Sequence, residues 1–89
     1  MYFIYILYSQ RVKNLYVGHT SNLEKRLKKH NDGLVKTTKN RRPLILIHKE
    51  SYTTRYDAMR REKYLKSLYG SRVRKQILKN YLLKKSQKF

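Results

Sequence analysis

The chain has 89 residues, of which 23 are Lys or Arg and five are Asp or Glu, so its formal net charge is +18. It has no Cys and three His, which excludes a disulfide framework and argues against a multi-ligand structural zinc site. A chain of this length forms one small domain that depends on an apolar core. Binding a polyanion relieves self-repulsion at this charge density, so we expect a nucleic acid as the partner.

Two other interpretations of the charge stay open. One is a solvated basic surface like those of ribosome-bound proteins, and the other is an anionic membrane surface, which the even spread of basic residues disfavours. The apolar N-terminal run at residues 1–7 has no leading positive region and no small-residue cleavage site, so we expect no signal peptide. No window approaches the roughly 18 apolar residues of a membrane span. We therefore expect a cytoplasmic protein without a membrane partner.

The first elements in the chain are predicted to be two short strands. Residues 2–8 form an aromatic and β-branched run of strand length, which is typical of a strand buried on both faces. Residues 9–14 make a polar turn, and residues 15–17 form a second strand that ends at Gly18. The two strands are expected to form an antiparallel hairpin.

A helix over residues 22–31 follows. Ser21 and Glu24 have the spacing of a capping box, in which each side chain bonds the backbone amide of the other residue. Leu23 and Leu27 are predicted to face inward. Gly33 can adopt the left-handed conformation that ends many helices.

The second half of the chain is predicted to be a loop, a strand and two helices. The loop covers residues 34–43, the third strand covers residues 44–48, and Glu50 ends that strand. Thr53 or Thr54 caps the second helix, with Asp57 in its first turn. The predicted inner faces are Ala58, Met59, Leu65 and Leu68 on the second helix, and Val73, Ile77, Leu78, Tyr81 and Leu82 on the third, which Ser71 caps.

These elements predict an α+β domain over residues 1–83 with the order β-β-α-β-α-α. Three strands cannot bury both of their faces alone, so we expect a small central sheet flanked by helices. Residues 84–89 are predicted to be a frayed basic tail.

Glu62 is the most informative of the scarce carboxylates because it lies in the middle of a predicted helix. A surface ion pair with Lys66, four residues later, would explain it. A site for a divalent cation beside a phosphate would explain it as well. The spacing leaves both interpretations open.

Two further pairs of residues are candidates for a catalytic role. Arg26 and His30 are four residues apart and share a helix face, where Arg can clamp a phosphate and His can move a proton. A solvated basic face is the alternative. Tyr5 and Tyr16 can meet across the hairpin, either as core residues or as a general base, which would need a nearby cation or metal because a phenol has a pKa near 10.

Together these residues resemble the GIY-YIG endonuclease superfamily, and most closely its small stand-alone members, which are similar to the N-terminal nuclease module of the excinuclease C subunit. The resemblance covers residues 2–80. Its motifs are Phe3-Ile4-Tyr5, Tyr16-Val17-Gly18, Arg26 with His30, and Ala58-x-x-Arg61-Glu62. Phe3 replaces the first Gly of the family's triplets, and Val17 replaces Ile.

The resemblance implies a three-stranded antiparallel sheet and a divalent-metal-dependent endonuclease that hydrolyses phosphodiester bonds in DNA. Because the sequence has no appended DNA-reading module, we expect selection by structure rather than by sequence. The resemblance also implies that Glu62 is the single carboxylate ligand of Mg²⁺ or Mn²⁺ and that Arg26 holds the scissile phosphate. Tyr5 and Tyr16 match the motif tyrosines, one of which helps to deprotonate water, and His30 matches a position near the nucleophile.

The remaining predicted contacts are with the nucleic-acid backbone. Gly18 matches a glycine that lets the strand approach the site, and His19 falls where some members have Lys. Flanking phosphates are assigned to Lys36, Lys39, Arg41, Arg42, Arg72, Arg74 and Lys75. Some relatives have Asn at the position of Arg74, so an Asn-dependent function does not transfer.

The alternative function is a non-catalytic basic module on DNA or ribosomal RNA that keeps a nuclease-like fold. The sequence does not decide whether the substrate is DNA or RNA, or whether the role is in DNA repair, recombination or mobile elements. It also leaves open whether the chain dimerises or has a protein partner.

Overall fold

The computed structural model describes residues 1–86 and contains a three-stranded antiparallel sheet with helices on both faces. The elements in chain order are β1 (Tyr2–Ser9), β2 (Asn14–Thr20), α1 (Leu23–Asn31), a short 3-10 turn (Lys39–Arg41), β3 (Leu44–Tyr52), α2 (Arg55–Lys66) and α3 (Ser71–Ser86). The predicted fold class, element order and antiparallel sheet are confirmed.

The central strand β1 is buried on both faces, as its sequence predicts. The sheet order is β2-β1-β3, and alternate residues of β1 enter two separate apolar clusters. The cluster toward α2 and α3 contains Ile4, Ile6, Val17, Ala58 and Leu65. The cluster toward α1 contains Tyr5, Leu7 and Leu44, with Tyr16, Leu23, Leu27 and Leu46 packed against it.

Strand β3 is longer than predicted. It continues to Tyr52 because it pairs antiparallel with the whole of β1, with Tyr2 opposite Tyr52 and Ile4 opposite Glu50. Backbone hydrogen bonds to β1 thus keep the polar end of β3 extended, although its sequence has no strand pattern of its own. Glu50 lies inside the strand, so its prediction as the strand end is wrong.

The N-terminus of α1 is capped one residue later than predicted. Asn22, not Ser21, is the cap, and its Oδ1 accepts a hydrogen bond from the backbone amide of Lys25 at 3.1 Å. Glu24 lies in the first turn, where its charge complements the helix dipole. Gly33 has φ +78°, which confirms the left-handed conformation predicted after the helix.

The predicted inner face of α2 is only half correct. Thr54 caps the helix by accepting from the amide of Asp57 at 3.2 Å, and Ala58 and Leu65 are buried. Met59 is 46% exposed and Leu68 is 86% exposed. Met59 lies on the outer side of the helix, and Leu68 follows its last residue, Lys66.

Helix α3 begins at Ser71 itself and continues through Ser86. Val73 and Ile77 pack against the core, whereas Leu82 is exposed, contrary to prediction. The first three residues of the predicted frayed tail are therefore helical, and residues 87–89 lie outside the described part of the chain. Within residues 1–86, no helix is long and apolar enough to cross a membrane.

A polar network on β3 fixes α2 to the sheet. The Glu50 carboxylate accepts hydrogen bonds from Arg61 Nε at 3.0 Å, Arg61 Nη2 at 3.1 Å and Tyr52 Oη at 2.6 Å, and His48 Nε2 lies 2.7 Å away. Burial alone would raise the pKa of Glu50, but these bonds outweigh it and lower the pKa to about 2.

Replacing Glu50 by Gln is expected to destabilise the protein at pH 7 by roughly 1–2 kcal/mol, because a charged acceptor of several hydrogen bonds is lost from a partly exposed site. Because the pKa of Glu50 is lowered in the folded state, the ionised carboxylate stabilises the protein at pH values above its ordinary pKa of about 4.5. This contribution is lost as the pH falls toward about 2. The deficit of Glu50→Gln should therefore disappear as the pH falls through this window. Urea denaturation at pH 7 and pH 2.5 measures it, with exposed Glu24→Gln as the matched control. A constant deficit at both pH values would contradict the assignment.

Candidate functional site

The Tyr5 hydroxyl lies at the centre of the candidate site. The Tyr5 residue is fully buried, and its Oη accepts a hydrogen bond from Arg26 Nε at 3.3 Å. The same oxygen lies 2.9 Å from His30 Nε2. Helix α1 thus presents Arg26 and His30, one turn apart, to the same phenol of β1.

A chain of hydrogen bonds continues from His30 into the loop before the 3-10 turn. His30 Nδ1 lies 2.8 Å from Thr38 Oγ1, which donates to the carbonyl oxygen of Val35 at 3.5 Å. Because Arg26 can only donate, the Tyr5 proton is free to point to His30 Nε2. His30 then carries its proton on Nδ1 and donates to Thr38. This tautomer, assigned from the partners, gives every member of the chain a donor or an acceptor.

Burial sets the protonation states of this chain. Burial, with a smaller effect of the Arg26 charge, lowers the pKa of His30 to about 4, so the imidazole is neutral near pH 7. Burial also raises the pKa of Tyr5 above its ordinary value, and the hydrogen bond from Arg26 only partly offsets this. Tyr5 is therefore a neutral phenol that can donate to His30.

Tyr16 lies on the same face of the sheet as Tyr5 and is half-buried. Its ring centre is 6.3 Å from that of Tyr5 and 5.1 Å from that of His30. Gly18 makes room for this group, since a Cβ at this position would stand 2.5 Å from Tyr5 Oη. The glycine ending the second motif is thus required by the close approach of the Tyr5 ring.

Glu62 reaches the site from α2, on the other face of the sheet. Its Oε1 accepts a hydrogen bond from Lys66 Nζ at 2.9 Å, and its Oε2 is hydrogen-bonded to His19 Nδ1. Burial alone would raise the pKa of Glu62, but the bonds to His19 and Lys66 reverse this, and the pKa is lowered. The ion pair with Lys66 that the spacing predicts is confirmed.

The position of β2 at the edge of the sheet brings Glu62 and its partners close to the group around Tyr5. Lys66 Nζ, bonded to Glu62, also lies 5.9 Å from the centre of the Tyr16 ring. His19, at the end of β2, joins the same carboxylate. Of the five residues predicted to be catalytic, Tyr5, Tyr16, Arg26 and His30 form one cluster, and Glu62 is linked to it through Lys66.

The donor set near Glu62 suits only certain metals. Within residues 1–86, no group of three or more His, Cys, Asp or Glu is arranged to hold a metal ion. A zinc site needs several such ligands. Mg²⁺ keeps most of its waters and is commonly held by one or two carboxylates with substrate phosphates. An ionised Glu62 fits an ion of that type.

The predicted phosphate contacts differ in their surroundings. Five are exposed on the loop and on α3: Lys36, Lys39, Arg42, Arg72 and Lys75. Arg41 is half-buried. Arg74 instead donates to the carbonyl oxygens of Leu65 and of Ser67, the latter at 3.0 Å. Its guanidinium closes the C-terminal end of α2, where orphan carbonyl groups need donors.

Sequence reasoning missed three contributors to the site. Lys25 and Lys29 line a shallow depression with Arg26 at the start of α1, although the spacing of Lys29, three residues from Arg26 and four from Lys25, already indicates a shared side. Thr38 is fully buried beneath His30. No signal in the loop distinguishes Thr38 from its neighbour Thr37, because its partner is distant in the sequence.

Comparison with known proteins agrees with this geometry. The model of the GIY-YIG catalytic domain matches residues 1–76. The chain therefore belongs to the GIY-YIG family. Such a domain indicates nuclease chemistry in general and a nucleic-acid partner.

Similar proteins within this family carry the name UPF0213. A UPF0213 protein of Bacillus licheniformis is 46% identical over 68 residues, which are 75% of this chain and 69% of the relative. UPF0213 protein YsiG of Lactococcus lactis is 39% identical over 84 residues, covering 93% and 80% of the two chains. The solution NMR structure of the UPF0213 protein BH0048 from Bacillus halodurans has a TM-score of 0.52 at 30% identity, covering 89% of this chain and 84% of that one. The chain is thus similar to the small stand-alone UPF0213 proteins, whose names specify no activity.

Thr38→Val is expected to destabilise the protein by about 1–3 kcal/mol, because it leaves the buried Nδ1–H of His30 without an acceptor. It should also shift His30 toward the Nε2–H tautomer. Thr38→Ser keeps the hydroxyl and should retain the tautomer. Chemical denaturation and long-range ¹H–¹⁵N NMR spectra of the imidazole measure both effects. Unchanged stability and an unchanged tautomer in Thr38→Val would contradict the hydrogen-bond chain.

His30 should titrate by NMR with a midpoint of about 4 in the folded protein, and near 6.5 in urea. The unfolded chain then binds a proton between these values that the folded chain does not bind. The contribution of His30 to the free energy of unfolding should therefore decline as the pH falls from 6.5 to 4. A folded-state midpoint near 6.5 would show that the imidazole is solvated.

Proposed function

We propose that this protein is a divalent-metal-dependent endonuclease that hydrolyses phosphodiester bonds in DNA. The supporting observation is that one ionised carboxylate, Glu62, is linked through Lys66 to a cluster of phenol, guanidinium and buried imidazole across the β2 edge. A nucleic-acid binder has no need of this combination. The net charge of +18 supplies attraction to the DNA backbone.

Arg26 is the proposed phosphate clamp. Its Nε is hydrogen-bonded to Tyr5 Oη, which fixes the plane of the guanidinium and leaves the terminal nitrogens as donors. The depression that Arg26 lines with Lys25 and Lys29 concentrates positive charge next to it. A preorganised guanidinium stabilises the charge that develops on the phosphate in the transition state.

Tyr16 is the proposed general base, because Tyr5 and His30 are both fully buried. Tyr16 remains partly open to water, and the Lys66 ammonium lies beside its ring. Tyr5 holds Arg26 by a hydrogen bond, and both Tyr5 and His30 pack against the Tyr16 ring. General-base assistance is typically worth about 10²–10⁴-fold in rate.

Glu62 is the proposed ligand for Mg²⁺ or Mn²⁺. Such an ion supplies stabilisation of charge on the phosphate and the leaving oxygen when bound. Both Glu62 oxygens already have partners, so a metal ion has to use a remaining lone pair or replace Lys66 or His19. Lys66 is the easier to move, because its side chain is 50% exposed and His19 is 25% exposed.

The engaged carboxylate also favours a second candidate, a basic module that binds DNA or ribosomal RNA without cutting it. In that case the pair of Glu62 with Lys66 and His19 only joins α2 to β2. Cleavage measurements separate the two functions.

Glu62→Gln is expected to abolish metal-dependent nicking of supercoiled plasmid, with a loss of at least roughly 10²-fold, because the amide cannot provide the anionic ligand. The assay uses Mg²⁺ or Mn²⁺, and EDTA should stop the wild-type reaction. Glu24→Gln removes an exposed carboxylate of α1 and should cleave like the wild type.

Two results would count against this proposal. Equal nicking by wild type and Glu62→Gln would remove Glu62 from the chemistry. Tight DNA binding without nicking under either metal would favour the non-catalytic module.

A further inference from the structure

The outer face of α2 exposes aromatic and apolar side chains that the core does not use. Tyr56, Met59 and Tyr64 are 68%, 46% and 42% exposed. We call this surface the Tyr56–Tyr64 face, a shallow groove lined by Tyr56, Met59, Arg60, Lys63, Tyr64 and Ser67. Tyr56 and Tyr64 are two turns apart on the helix, a separation of about 12 Å.

The Tyr56–Tyr64 face continues directly into the pocket that holds the candidate metal ligand. Met59, Lys63 and Ser67 line both the groove and the pocket around Glu62. Any chain lying in the groove therefore adjoins the Glu62 carboxylate. This continuity connects the surface to the proposed reaction and distinguishes it from an isolated apolar patch.

Cations lie close to both aromatic rings of this face. The guanidinium carbon of Arg60 lies 5.6 Å from the centre of the Tyr56 ring, and that of Arg61 lies 5.5 Å from the centre of the Tyr64 ring. Arg60 and Lys63 line the groove together with both tyrosines, whereas Arg61 is bonded to Glu50. Rings that accept stacked bases, alternating with cations that follow the backbone, are how proteins bind single strands.

We propose that the Tyr56–Tyr64 face binds an unpaired stretch of DNA next to the scissile phosphate, with bases stacked on Tyr56 and Tyr64 and phosphates near Arg60 and Lys63. This inference rests on the proposed endonuclease function and names its substrate class, DNA that is locally single-stranded. A fully paired duplex offers the groove phosphates but keeps its base faces stacked inside the helix, so the rings gain nothing from it.

A second copy of the chain fits this surface less well. A symmetric dimer would place the same patch against itself. Arg60 and Lys63 of each copy would then face their counterparts within the interface, and like charges brought together in this way are repulsive. A polyanion neutralises the same cations.

The test is a binding measurement without metal, so that it does not depend on cleavage. Fluorescence anisotropy with labelled oligo(dT) and a duplex of equal length is recorded in EDTA. Stacking on a protein aromatic is worth about 5- to 150-fold per base when the ring is removed. Tyr56→Ala/Tyr64→Ala should therefore weaken oligo(dT) binding by at least about 25-fold and duplex binding by less than about threefold.

Two matched variants separate stacking from general effects. Tyr56→Phe/Tyr64→Phe keeps both rings and should bind oligo(dT) within about twofold of wild type. Leu82→Ala/Leu83→Ala removes exposed apolar side chains from α3 and should leave both affinities unchanged.

Several outcomes would overturn the proposal: an unchanged oligo(dT) affinity in the double alanine variant, an equal loss on duplex, or tighter binding of oligo(rU) than oligo(dT). A wild-type dimer that the double alanine variant dissociates, seen by sedimentation, would assign the face to self-association instead. If these binding results hold while the wild type shows no metal-dependent nicking, the endonuclease assignment fails and the single-strand surface stands.

Discussion

The Tyr5 hydroxyl occupies a position from which water is excluded, and a buried hydroxyl without partners costs about 1–3 kcal/mol. This constraint determines how the elements around β1 are arranged. Helix α1 supplies Arg26 and His30 to the same oxygen, and the loop before the 3-10 turn supplies Thr38 to the far side of the imidazole. Strand β2 has Gly18 opposite Tyr5 in the ladder, where any side chain would displace the ring. Segments β1, β2 and α1 thus meet at one phenol, the loop joins them through His30, and the same contacts that satisfy the fold hold the Arg26 guanidinium in place.

Helix α2 uses consecutive residues for different purposes. Arg61 bonds Glu50 of β3 and fixes the helix on the sheet, while Glu62 extends to His19 at the end of β2. The two contacts attach α2 to strands on either side of β1. The position of the Glu62 carboxylate therefore depends on an ion pair that takes no part in the proposed chemistry. Of the two partners at Glu62, Lys66 is the more exposed, so the carboxylate combines a fixed location with a neighbour that is easier to replace.

Contacts between residues close in sequence could be predicted, and most of the long-range ones could not. The pair of Glu62 with Lys66 follows from helical spacing, and the two-faced burial of β1 follows from its unbroken apolar run. The cap at Asn22 was missed because Ser21 and Asn22 are both good capping residues, and only the backbone conformation selects between them. Thr38 lies in a basic, hydroxyl-rich loop that suits phosphate contact, yet it is buried against a residue of α1. The sequence pattern groups Met59 with Ala58 and Leu65 as one apolar face of α2, but the side of the helix that packs against the sheet is narrower and excludes Met59.

The large positive charge and the single carboxylate of the site have opposite effects on a divalent cation. Glu62 attracts it, whereas Lys66 and the surrounding excess of basic residues, +18 over the chain, repel it. Binding of the proposed ion to the free protein should therefore be weak. A DNA phosphate changes the balance, because it neutralises nearby cations and adds a negative oxygen ligand beside Glu62. Lys66 can then exchange its carboxylate partner for a phosphate without being left unpaired. For the proposed metal site, the nucleic acid would then supply the missing ligands, and the basic composition that would otherwise exclude the ion would make its binding conditional on the substrate.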